Sequence, residues 1–262
     1  MSTLNASTLK LSVLQQPLVW LDGEANLRHF DSLLATLTGR DLIVLPEMFT
    51  TGFAMQAPDS ALPESRVIEW LQQWADKLDA MVGGSVALAT DKGAVNRFLL
   101  VAPQGKVHFY DKRHLFRMAG EHHHYVAGDR REIVEWRGWR ILPQVCYDLR
   151  FPIWSRNQQD YDLALYVANW PAPRSRHWQT LLTARAIENQ AFVAGCNRVG
   201  EDAYGHQYSG DSLILNAQGE ELARGAANED AILNAELSLQ QLQDYREAFP
   251  AWRDADSFTI NH

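Results

Sequence analysis

A single α/β layered domain is the fold that this sequence predicts, and three observations carry the prediction. Short apolar runs bounded by turn residues alternate with stretches whose apolar residues recur at helical spacing, the pattern of strands and helices stacked in layers. A central stretch of three apolar runs separated by turn signals reads as antiparallel meander. The chain has 262 residues, 46% of them hydrophobic and 21% charged. That is enough for one sizeable core over residues 1–262, and no linker, repeat or low-complexity tract divides it.

Leu9 to Gln15 alternates apolar and polar residues and predicts a first strand. Leu27, Phe30, Leu33, Leu34 and Leu37 then recur at helical spacing and end at Gly39, a residue type suited to helix termination. Asp41-Leu42-Ile43-Val44-Leu45-Pro46-Glu47 is an apolar strand closed by proline, with Glu47 at its end. Val67, Leu71, Trp74 and Leu78 predict a second amphipathic helix. The meander follows over Met81 to Ala89, Ala94 to Ala102 and Lys106 to Tyr110, in the same sheet system. Asp111 to Asp129 is polar and irregular, and a loop that long in a compact domain is more often functional than idle.

Ile133 to Trp136 pairs across Arg137-Gly138 with Trp139 to Val145. Beyond it come Asp162 to Ala168 as strand, a helix marked by Trp178, Leu181, Leu182, Arg185 and Asn189, and a strand from Ala191 to Asn197. Ser212 to Leu215, Leu222 to Gly225 and Ala231 to Leu237 finish the sheet. Residues 238–262 are polar with scattered aromatics and read as a C-terminal arm rather than core.

Composition narrows function. A net charge of -8 without any basic block argues against binding a phosphate backbone, so nucleic acid is not an expected partner. No apolar run is long enough to span a bilayer, and the N-terminus has a single lysine before a short apolar patch, unlike a targeting signal. Two cysteines, Cys146 and Cys196, cannot form a secreted disulfide framework. A cytoplasmic address, where free thiols persist, is therefore expected.

The chemistry centres on Cys146. Trp139, Ile141, Leu142 and Val145 precede it, and charged residues and then Pro152 follow, so it sits where a strand ends and a loop begins. Strand ends are where open α/β folds place ligands, although a free cysteine is more often a small buried hydrophobe. Nucleophile elbows of the Gly-x-Ser-x-Gly type, phosphate loops, dinucleotide fingerprints and Cys-x-x-Cys pairs are all missing. What remains is a carboxylate, an amine and a thiol, each beside a strand end: Glu47, Lys112 and Cys146. A thiol is mostly protonated at neutral pH and needs a base to take its proton or a cation to hold the thiolate. Glu47 suits the first task and Lys112 the second; at about 4 Å a charge pair is worth roughly 4 kcal/mol, enough to draw a thiol down by more than a pH unit.

Three stretches carry a family resemblance. Leu45-Pro46-Glu47-Met48-Phe49 with Gly52-Phe53, Tyr110 to Phe116, and Val145-Cys146-Tyr147-Asp148-Leu149-Arg150-Phe151-Pro152 resemble, in order, the signature motifs of the nitrilase superfamily of carbon–nitrogen hydrolases. The resemblance implies an αββα four-layer sandwich, with Glu47 as general base, Lys112 as electrophilic stabiliser and Cys146 as nucleophile. It further implies Glu121 as an auxiliary glutamate. The oxyanion would meet Lys112 and the backbone N–H of Tyr147. Within the superfamily the pattern, including Asn169-Trp170-Pro171-Ala172-Pro173-Arg174, is most similar to bacterial omega-amidases. That implies small oxo-acid amides as substrates, no cofactor and a homodimer.

Arg150, four residues beyond the nucleophile, could grip a substrate carboxylate bidentately, with Arg174 and Arg176 next in line, or could serve a structural ion pair with an aspartate. Phe53, Phe116 and Trp170 would be apolar walls, though such residues are more often plain core. Other carbon–nitrogen hydrolase activities, such as deaminated-glutathione amidase, carbamoylase or nitrilase, fit the same motifs. A different class, a metal-binding protein built on His122-His123-His124, is disfavoured because no partner pair sits at ligand spacing. His114 is expected to pack and hydrogen-bond, and Cys196 to be structural.

Overall fold

The computed structural model describes residues 8–260. Residues 1–7 and the last two positions of the predicted arm lie outside the described residues. The first half of the chain runs β1 (Thr8–Gln15), α1 (Gly23–Leu34), β2 (Leu42–Val44), α2 (Ala57–Ser60), α3 (Glu64–Leu78), β3 (Met81–Thr90), β4 (Gly93–Val101) and β5 (Val107–Asp111). The second half runs β6 (Val134–Trp136), β7 (Trp139–Val145), α4 (Pro152–Ser155), β8 (Leu163–Ala168), α5 (Ser175–Asn189), β9 (Phe192–Asn197), β10 (Val199–Glu201), β11 (Gln207–Ser209), β12 (Leu213–Leu215), β13 (Glu221–Arg224), β14 (Ala231–Ser238) and α6 (Leu239–Ala248).

Two six-stranded mixed sheets result, in the orders β14-β1-β2-β3-β4-β5 and β13-β12-β9-β8-β7-β6. In β8, Leu163, Leu165 and Val167 face the other sheet, while Ala164, Tyr166 and Ala168 face α5. A strand buried on both faces must be apolar throughout, which is why this run shows no alternation. Leu11, Val13, Val44 and Phe98 of the first sheet meet Ile141, Leu165 and Ala194 of the second in the central core. α1 and α3 cover the outside of the first sheet through Phe30, Leu34, Val67 and Leu71, and α5 covers the second through Trp178 and Leu182. The layers are therefore α, β, β and α, as the resemblance implied. Cys196 is wholly buried and donates its S–H across the central core to Leu14 O at 3.3 Å, a structural role.

Several local expectations are corrected. The meander and the later strands do not share one sheet, and the closing strands divide: β12 and β13 extend the second sheet, whereas β14 pairs antiparallel with β1 along its whole length. α1 ends at Leu34 because Thr36 bonds its hydroxyl back to Leu33 O and its N–H to the same carbonyl, tightening the chain. Gly39, at φ 59°, turns the following loop rather than capping the helix. The stretch read as an arm begins with α6, capped by Ser238, and buries Leu242 in the inter-sheet core. The β10–β11 hairpin was not anticipated, since its strands are three polar-rich residues each.

Candidate active site

Glu47 follows β2 on a segment pinned to β3. Leu45 N–H bonds Gly83 O at 2.7 Å, Phe49 N–H bonds Ser85 O at 3.0 Å, and Met48 N–H bonds Ser85 Oγ at 3.0 Å. This close passage needs Gly84, where an added Cβ would lie 2.8 Å from Leu45 Cβ and 2.9 Å from Phe49. Lys112 follows β5 and reaches the same place, its backbone N–H held by Asn96 O at 2.9 Å. Cys146 begins a short 3-10 turn (Cys146–Arg150) at the end of β7, with φ at 45°. A non-glycine residue there is strained, and strain of this kind gathers at functional sites where the surroundings enforce it. The enforcing group is Asp148, wholly buried, which accepts from Val145 N, His114 N, Tyr110 Oη and His114 Nδ1 at 3.0, 2.9, 2.8 and 2.7 Å. His114 also stacks on Phe151 with ring centres 3.8 Å apart, so it packs and bonds, as expected.

The three predicted groups meet. Lys112 Nζ lies 3.1 Å from Glu47 Oε1 and 2.9 and 3.0 Å from the two oxygens of Glu121, all three side chains being fully buried. Glu47 Oε1 also accepts from Asn96 Nδ2 at 2.8 Å, and Oε2 from Asn169 N at 2.7 Å. Glu47 also acts electrostatically on the Cys146 thiol. Burial disfavours the Lys112 ammonium, but Glu121 and then Glu47 overcome it and hold its proton well above the ordinary lysine range. Burial raises the Glu121 carboxyl, with Lys112 pulling the other way.

Cys146 departs from the expectation that Lys112 would draw its thiol down. Burial first, and then the charge of Glu47, push the thiol well above its usual value, and Lys112 offsets only part of this. Two carboxyl groups already share the one ammonium, so a thiolate would find no cation of its own. The resting sulfur is a thiol whose proton must leave as the bond to carbon forms.

Above the cluster opens a cleft of about 700 Å³ lined by Lys112 and Cys146 together with Phe53, Phe116, Trp170 and Tyr147. Phe53 and Phe116 are half-buried walls, and Trp170 serves both cleft and core, packing against Trp178 at 5.4 Å. Arg150 and Arg174 line the same cleft, lying over Trp170 and Phe116 at 4.6 and 5.6 Å. Arg150 contacts His177 Nδ1 at 3.2 Å, and neither arginine has a carboxylate partner among the described residues, so the structural ion pair weighed for Arg150 is absent there. Arg176 is exposed and stands off the cleft. The backbone N–H of Tyr147 belongs to the first turn of its 3-10 helix, where such groups have no partner within the helix. His122 and His123 lie ring against ring at 3.8 Å in the 3-10 turn that opens with Glu121.

Sequence reasoning missed Asn96, the bonding of Asn169 to Glu47 and the hairpin. Asn96 had a signal, a polar residue in the middle of the apolar run of β4. The hairpin had none, yet Asp202, Tyr204, His206 and Tyr208 line the cleft. Asp202 shapes the tip, accepting from the N–H groups of Tyr204 and His206 at 2.9 and 3.0 Å and from Tyr208 Oη at 2.8 Å. Tyr204 then spans to the first sheet's loops, edge-on to Trp20 at 5.4 Å and 3.3 Å from Gln56 Oε1.

Omega-amidase YafV of Yersinia enterocolitica is 70% identical over 97% of this chain and 99% of its own. The 2-oxoglutaramate amidase of Bacillus subtilis is 36% identical, covering 82% of this chain and 84% of that one. The crystal structure of XC1258 from Xanthomonas campestris, a CN-hydrolase superfamily protein with an arsenic adduct in its active site, superposes with a TM-score of 0.94 at 43% identity, covering 97% of this chain and 99% of that one. Residues 10–247 match the profile of the carbon-nitrogen hydrolases, and the chain belongs to that family.

Proposed function

We propose that the protein is an omega-amidase that hydrolyses the terminal amide of small oxo-acid amides, 2-oxoglutaramate and 2-oxosuccinamate, to the oxo-dicarboxylate and ammonia. The observation that carries this reading is the buried Glu47–Lys112–Glu121 cluster beneath Cys146, opening into a cleft that holds two arginines with no carboxylate partner among the described residues. The names of the relatives at 70% and 36% identity support the substrate class.

Glu47 takes the thiol proton as sulfur attacks the amide carbonyl, and the oxyanion is met by Lys112 and the Tyr147 N–H. Glu47 passes that proton to the nitrogen, the C–N bond breaks, and ammonia leaves a thioester on Cys146. Water then attacks the thioester, giving a proton to Glu47 that returns to the departing sulfur. Glu121 holds Lys112 in place, and its two bonds leave the ammonium little freedom to turn away. Arg150 or Arg174 grips the distal carboxylate, and Phe53, Phe116 and Trp170 shape the apolar passage between. The reading extends to a homodimer working in the cytoplasm without a cofactor. Among the described residues no helix is long and apolar enough to cross a membrane.

The test is the rate of hydrolysis, read as ammonia released from 2-oxoglutaramate, N-carbamoyl amino acids and nitriles and as cysteinylglycine released from deaminated glutathione. The reading requires kcat/KM to be highest for 2-oxoglutaramate. A higher value for any of the others would move the protein to another activity of the family.

A further inference from the structure

Two buried asparagines converge on Glu47. Asn96, wholly buried on β4, donates Nδ2 to Glu47 Oε1 at 2.8 Å. Asn169, only 4% exposed just beyond β8, donates its backbone N–H to Oε2 at 2.7 Å and its side-chain Nδ2 to the main-chain oxygen of Glu47 at 2.6 Å. Among the described residues the buried carbonyl oxygens of both side-chain amides have no hydrogen-bond partner. An orphaned buried acceptor is a cost that a leucine in the same space would avoid, and turning either amide over would set oxygen against oxygen. The amides are therefore placed for what their nitrogens do.

We infer that Asn96 and Asn169 are positioning residues for Glu47, favouring its ionised form and fixing which oxygen faces the Cys146 thiol. The inference rests on the reading of Glu47 as base. The other titratable groups around Glu47 are Lys112 after β5, Glu121 from its 3-10 turn and Cys146 after β7, with Tyr125 and Tyr208 in electrostatic reach. Lys112 divides its charge between two carboxylates, whereas the asparagine donors serve Glu47 alone. One sits on each sheet, so the carboxylate is gripped from both sides of the core.

Inactivation by iodoacetamide as a function of pH reads this directly, since the thiol must give its proton to Glu47 before alkylation whatever the natural substrate is. For Asn96→Leu the acid limb of that profile, and of kcat/KM on 2-oxoglutaramate, is expected to move up by about one pH unit. The sign follows from loss of a donor to the charged form, which lets Glu47 keep a proton at higher pH. Its melting temperature should not fall, because the orphaned carbonyl is removed with the donor. Asn169→Ala, which keeps the backbone N–H, should show a smaller shift in the same direction and serves if Asn96→Leu does not fold. Unmoved acid limbs in the folded variants would overturn the inference. Glu47→Gln separates the two ideas: if it alkylates with the unaltered pH profile, the assignment of the base fails. If it loses the acid limb while the folded asparagine variants match the parent protein, only the positioning role fails.

Discussion

Replacing Lys112 with methionine removes the ammonium held between Glu47 and Glu121, while a chain of similar length still fills the space. Lys112 is 1% exposed and both carboxylates are at 0%, so water replaces the lost ammonium poorly. Breaking a buried ion pair from one side costs about 3–5 kcal/mol at neutral pH, because a charge is left without compensation. The folded protein can recover part of this by protonating a carboxylate. Burial already raises Glu121 with Lys112 present, and without it the rise must be larger. The folded state then binds a proton that the unfolded state, with glutamates near 4.3, releases over this interval; each pH unit of difference is worth about 1.4 kcal/mol, so lowering pH from about 7 to about 5 returns up to roughly 2.7 kcal/mol. Urea denaturation of both proteins at the two pH values, at one protein concentration, measures the difference. The loss for Lys112→Met should be smaller at the lower pH. A loss of equal size at both, or a greater one in acid, would refute the picture of two carboxylates depending on one ammonium.

Cys146→Ala should abolish turnover while circular dichroism and melting temperature stay close to those of the parent, since the thiol supports little besides the chemistry. Arg150→Ala or Arg174→Ala, whichever holds the substrate carboxylate, should raise KM by about ten-fold to a hundred-fold with kcat little changed, the range of a lost charge-assisted hydrogen bond; steady-state kinetics on both variants identifies it. Asp148→Ala strands Tyr110, His114 and the turn after Val145, and should cost about 3–5 kcal/mol in denaturant titration together with a fall in kcat. Tyr204→Ala removes the hairpin's bridge to Trp20 and Gln56, so the ratio of kcat/KM for a long dicarboxylic monoamide such as suberamate to that for glutaramate should rise; an unchanged ratio would mean the hairpin does not bound the cleft.

Much of this molecule is readable from its sequence because burial on two faces leaves plain marks. The runs at Leu42–Val44 and Leu163–Ala168 are apolar throughout, and α3 shows its inner face through Val67, Leu71 and Trp74. Glu47 and Cys146 stand out because each ends such a run with a reactive group where apolar packing stops, and Lys112 because it follows the last strand of the meander. Less legible are features decided by partners distant in sequence. β14 could have joined either sheet, and only its pairing with β1, more than two hundred residues away, decides it. The raised thiol is illegible for the same reason: its level depends on the balance of Glu47 and Glu121 against Lys112, brought together from three loops. The hairpin from Val199 to Ser209 lacks apolar alternation because its work is done at the cleft rim.

The cleft's chemistry straddles a seam. The base and the ammonium follow strands of one sheet and the sulfur a strand of the other, and those two plates are kept in step by interlocked apolar side chains and by a few bonds across the seam, such as Asn169 to Glu47 and Tyr110 to Asp148. A trimmed side chain deep between them, at Phe98 or Leu165 for example, should weaken the fold by about 2–5 kcal/mol and, by letting the plates shift, slow the catalyst as well. Remote lesions of that sort should be sought in rate measurements as well as in melting curves.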